Sequence, residues 1–144
     1  MVEIHVAVGI LLLVLNLAAG IWGVICWLAS RPSVAFWYLL RAAQTSVVLQ
    51  AAIGAGLLLS NHKAADNLHY LYGIVPLGVA LATESMRIGA AQRVVGEIDY
   101  AALPEADQRA LAINIVRAET RVMALGALFI AAIAIRAATT SGGL

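Results

Sequence analysis

The stretch from Leu49 to Gly73, LQAAIGAGLLLSNHKAADNLHYLYG, decides the reading of this chain. It ends one apolar helix, crosses a short polar loop and opens a second apolar helix with His69, followed one turn later by Gly73. Histidine is costly at the end of a lipid-embedded helix. A glycine at i+4 leaves a flat gap on the same face, where a planar ligand can lie against the backbone. The signature recurs at the start of the chain, where Gly9 follows His5. Two histidines, two adjoining glycines and two helices point to a haem held between them.

Working outward, 62% of the residues are hydrophobic and only 12% are charged. The apolar residues fall in runs of about 20 or more, the length that a helix needs to cross a bilayer. The expected architecture is an all-α, integral membrane four-helix bundle forming one domain over residues 1–144. Its spans are expected at 4–29, 34–60, 67–92 and 119–138, with a cytoplasmic connection over 93–118. The first run is too long for a secretory signal, has no basic segment before it, and reads as a mature helix. A net charge of +1 without any basic stripe argues against nucleic acid as a partner. The single cysteine, Cys26, excludes an internal disulfide and a CxxC site, and reads as a small buried hydrophobe.

Arginine placement sets the expected orientation. Arg31, Arg41, Arg87, Arg93, Arg109, Arg117 and Arg121 fall in or beside the two connections on one side, whereas the other side has Lys63 and Arg136. By the positive-inside rule both termini face outward, in a multi-pass protein of the cell membrane, with His5, His62 and His69 at the outer surface. Trp27, Trp37 and Tyr38 mark the inner interface, and Tyr70 and Tyr72 the outer one.

Along helix one, Gly9, Leu12, Asn16 and Gly23 lie within about 40° of His5, a stripe suited to close helix packing, with Asn16 bonding a neighbour. Helix two carries Arg41, Gln44, Ser46, Gln50 and Gly54, a heavy polar load for a span. Gln50 and Gly54 share a face, and the Gln50 amide needs a partner on another helix or a ligand. Arg41 lies on the opposite side and snorkels to the interface. In the loop, Lys63 is placed to pair with a haem propionate or to stay solvated, and His62 is an alternative ligand. Asp66 or Asn67 caps helix three.

Glu84 lies about 22 Å down the axis from His69 and cannot share its site. With Arg41, Arg87 and Arg121 it forms an expected inner polar cluster, either an ion-pair network or a proton or quinone site. Pro104, Glu105 and Asp107 start a helix that leaves the inner surface and then enters the membrane. Its span, Val122 to Ile135, carries no ligand type; it completes the bundle, or faces lipid or a second copy through Gly126. A tail from Thr139 is expected to be disordered.

This order of motifs resembles the haem A synthases. There, each half of the protein is a four-helix unit: one helix enters with a glutamate shortly before a histidine, the next carries glutamine and then glycine, and the third opens with a second histidine. Here Glu3-Ile4-His5, Gln50 with Gly54, and Leu68-His69-Tyr70-Leu71 stand at those places. The spacing of Glu3 is one residue shorter than in the family, Val6 replaces an arginine, and there is one unit in place of two. The resemblance implies a haem with His5 and His69 as axial ligands, Gly9, Gly73, Gln50 and Gly54 around it, and Glu3 as a catalytic residue if the haem is a substrate.

Three functions are expected from these residues. One is a small b-type cytochrome that passes electrons between a quinone pool and a partner protein. The others are a compact haem A synthase, and a non-redox accessory subunit of a membrane complex. The chain in each case is a homo-oligomer or part of a larger assembly.

Overall fold

The computed structural model describes residues 2–62 and 67–140, except for the side chain of Thr140. Four helices make the fold: α1 (Val2–Leu28), α2 (Val34–Leu59), α3 (Asn67–Val95) and α4 (Glu105–Thr140), with a short 3₁₀ turn at Tyr100–Ala102. Each is long and apolar enough to cross a membrane. Their outward faces are apolar too: Val14, Ile21 and Ile25 on α1 and Phe129 on α4 are all about half exposed, as an apolar solvent requires. Helix α4, with 36 residues, is about 54 Å long, so it overreaches a hydrocarbon core of roughly 30 Å. The helix continues through Thr139 and Thr140, which corrects the expected disordered tail at those two positions; 141–144 lie outside the described residues.

Two turns are built the same way. At the end of α1, Arg31 N–H donates to the Cys26 carbonyl at 3.0 Å and Ser30 N–H to Trp27 at 3.2 Å. At the end of α2, His62 N–H reaches Leu57 at 3.0 Å and Asn61 N–H reaches Leu58 at 3.1 Å. Both are Schellman caps, with Ser30 (φ 52°) and Asn61 (φ 63°) in the left-handed position that glycine usually fills. The α2 start is capped by Ser33, whose hydroxyl accepts from Phe36 N–H at 3.2 Å and from the Trp22 indole at 3.1 Å. That second bond ties the turn back onto α1.

The helices are antiparallel, and α1 packs on α2 and α4, while α4 also packs on α3. Small residues set these crossings. A Cβ on Gly20 would stand 2.6 Å from Leu128, and one on Gly23 would stand 2.5 Å from Phe36 and 2.7 Å from Ala124. Gly126 is buried against Thr83 of α3, so it faces the bundle and not lipid or a second copy. Asn16, 1% exposed, donates to its own helix at Leu12 O, 2.9 Å, and not to a neighbour as expected. Its amide satisfies itself one turn back on the same face.

The core is layered. Phe36, Leu40, Ala43, Met123 and Ala127 form one cluster; Leu12, Val47, Ala80 and Ile130 form the next, closer to the chain start. Helices α2 and α3, although consecutive, touch only sparsely. Polar side chains cross that seam at the end where Arg41 and Gln44 meet Glu84, and at the other end His5 of α1 contacts both Gln50 of α2 and His69 of α3.

Candidate functional site

At one end of the bundle the first turns of α1 and α3 meet the last turns of α2. His5 comes from α1, Gln50 and Gly54 from α2, and His69 from α3. The Gln50 amide lies 3.2 Å from His5 Nε2. Helix α1 yields to it at Gly9, where a Cβ would stand 3.1 Å from the amide nitrogen. Helix α2 yields in turn at Gly54, where a Cβ would stand 3.3 Å from His5 Cε1. Each polar side chain thus occupies the gap that the other helix's glycine leaves. Gly9, expected to leave a gap for a planar ligand, here receives the Gln50 amide. Gly73 does face open space, with nothing within 4 Å of a Cβ placed there.

His5 and His69 face one another with ring centres 6.0 Å apart and planes at 61°. His5 Nδ1, His69 Nδ1 and Gln50 Oε1 are buried and find no hydrogen-bond partner among the described residues. Leaving such an atom unmet costs about 1–3 kcal/mol, so each of the three calls for a partner such as water or a bound group.

The donor set fits a haem. Two imidazoles on opposite sides of one metal put their ring centres about 6 Å apart, since each metal–nitrogen bond is ~2 Å and each centre lies roughly 1.1 Å further on. The 61° between the planes is compatible with this, because each ring can turn about its own metal–nitrogen axis. Among the described residues no group of three or more His, Cys, Asp and Glu gathers. A haem would need only these two imidazoles from the protein, since a porphyrin brings four nitrogens of its own.

Other expected residues lie elsewhere. Glu3 is exposed and stands about 200° around α1 from His5, so α1 turns it away from the pair. His62 is exposed, and its Nδ1 donates to the Ser60 carbonyl at 3.1 Å. Lys63 and Asp66 lie outside the described residues.

At the opposite end, Glu84 of α3 bridges the seam. Arg41 of α2 pairs with it, Gln44 Nε2 donates to it at 2.8 Å, and Arg87 Nε donates to it at 2.9 Å. Arg87 also reaches Glu119 of α4 at 3.1 Å and lies 5.7 Å over the Trp37 ring. Arg121 is exposed and takes no part in these ion pairs, and Glu119 closes the network in its place. The sequence offered Arg117, Glu119 and Arg121 in alternation, and only the rotation of α4 against α3 selects among them.

Set against family models, curated proteins and solved structures, the chain matches none. The resemblance to haem A synthases thus rests on the residues themselves.

Proposed function

We propose that this chain is a small b-type cytochrome of the cell membrane, in which His5 and His69 hold one haem from its two faces at the outer end of the bundle. The observation that carries the reading is the histidine pair, with ring centres 6.0 Å apart and a buried, unpartnered Nδ1 on each ring. Gln50 acts as a positioning residue: its amide lies 3.2 Å from His5 Nε2 and, turned so that Oε1 accepts from an Nε2–H, would leave the Nδ1 lone pair for a metal. The sparse contact between α2 and α3 leaves the side of the bundle where a flat group has the least protein to displace.

A haem supplies one-electron chemistry. Held by His5 and His69 together, such a group would leave no position open to oxygen, and the site would suit electron transfer. The chain's own part is to hold the two rings at fixed separation in a low-dielectric layer. Glu3, turned away from the pair, gives no support to haem oxidation. The arginines of the other end, through the positive-inside rule, support an outward-facing histidine pair.

The test is a reduced-minus-oxidised visible spectrum of detergent-purified protein expressed with added haem, beside His5→Ala and His69→Ala. A sharp split band in the wild type, lost in both variants, is expected. A colourless wild type with normal helix content would sink the haem reading and leave an accessory subunit.

A further inference from the structure

Away from both clusters, the end of α1 meets α4 at a shallow crevice too narrow to enclose a water molecule, lined by Cys26, Arg31, Pro32, Val116, Arg117 and Thr120 among others. Three facts single it out. The first is uncompensated charge. Arg41, Arg87 and Arg109 all have carboxylate partners, whereas Arg31, Arg117 and Arg121 have none among the described residues. The acid beside them in sequence, Glu119, is committed to Arg87.

The second is fixed geometry. The α1 cap holds the Arg31 backbone, and Arg117 Nε donates to the Trp27 carbonyl at 3.2 Å, which anchors one edge of its guanidinium and leaves the rest. The third is Thr120, only 4% exposed yet lining the crevice. Thr45, Thr83 and Thr139 all donate to carbonyls of their own helices. The Thr120 hydroxyl makes no such bond among the described residues.

We propose that this corner binds the phosphate of an anionic phospholipid headgroup, with Arg31 and Arg117 as its cationic partners and Thr120 as a hydroxyl within the crevice. Guanidinium matches phosphate in charge and in planar donor geometry. The depth favours a lipid over free phosphate. Trp22, Trp27 and Tyr38 stand at this end, as aromatic residues do where headgroups begin, and Leu28 (66% exposed) offers apolar surface beside the crevice. Basic pockets between spanning helices hold such headgroups. The crevice is narrow, so the phosphate rests at its mouth and the acyl chains stay in the bilayer.

Native mass spectrometry of the purified protein, given equal amounts of phosphatidylglycerol and phosphatidylcholine, tests this. Phosphatidylglycerol should be retained preferentially. Arg31→Gln, which leaves the Arg117 anchor intact, should weaken retention about fivefold, and Arg31→Gln with Arg117→Gln roughly 25-fold. Arg109→Gln, about two turns before Arg117 on α4 and already paired with Glu105, should change nothing. Equal retention by the double variant and the wild type overturns the proposal. So does displacement of the lipid by inorganic phosphate at the same concentration, which would mark a free-phosphate site. Circular dichroism of the single variant checks that the loss is not one of folding.

Discussion

Gly23→Ala is the sharpest test of the packing described above. The added methyl would lie 2.5 Å from Phe36 Cε2 and 2.7 Å from Ala124 Cβ, where carbon atoms normally rest about 3.5–4.0 Å apart. The overlap is about 1 Å on two sides at once. Phe36 cannot step back: it is fully buried in the cluster with Ala19, Leu40, Ala43 and Met123, and its ring meets Trp37 edge-on at 5.1 Å. Ala124 cannot either, since its Cβ moves only with the backbone of α4. Helix α1 must therefore shift away from α4, loosening the close approach of Gly20 to Leu128 as well.

Such overpacking costs up to about 3 kcal/mol, and the better helix propensity of alanine returns about 1. The net loss of about 2 kcal/mol lowers the folded-to-unfolded ratio roughly 30-fold. Unfolding of the detergent-solubilised protein by titrated dodecyl sulfate, followed by circular dichroism and tryptophan fluorescence, reads this as an earlier midpoint. Gly56→Ala and Gly78→Ala, both facing open space, serve as controls and should lose nothing. A Gly23→Ala midpoint equal to that of the wild type, or an equal loss in Gly78→Ala, would refute the reasoning.

Other outcomes follow from the polar groups. Gln50→Leu removes a net bond of about 1 kcal/mol together with one unmet oxygen, so stability should change by less than about 1 kcal/mol. The same variant should lower haem occupancy, measured as absorbance per protein, because His5 loses its positioning partner; unchanged occupancy would remove Gln50 from that role. Glu84→Gln leaves Arg87 with Glu119 alone and Arg41 without its carboxylate, and should destabilise by about 1–2 kcal/mol, the partial exposure of Glu84 keeping it below the cost of a fully buried pair. A stability equal to wild type would show that the seam does not depend on this clamp. Ser30→Gly relieves a residue held at φ 52° and should stabilise by about 0.5–1 kcal/mol; a loss would mean that the Ser30 side chain contributes more than its backbone strain costs.

Much of the architecture could be read before any coordinates. Four apolar runs of bilayer length fix four helices, and Ser33 and Pro104 lie where helices start. Short connections then bring the start of α1, the end of α2 and the start of α3 to one end, so His5, Gln50 and His69 could be placed together from spacing alone. What spacing could not decide was which face of each helix turns inward. In lipid the outward face is as apolar as the inward one, so the hydrophobic stripe that orients a soluble helix is faint. Orientation falls instead to steric fit at small residues. Only the packed structure shows Gly9 taken up by Gln50, Gly54 by His5, and Gly126 by Thr83. The same fit turns Glu119 towards Arg87, leaves Arg121 outside, and returns the Asn16 amide to its own helix. Composition and length determined the four apolar helices and gathered the histidines at one end; side-chain volume at the crossings decided what those histidines face.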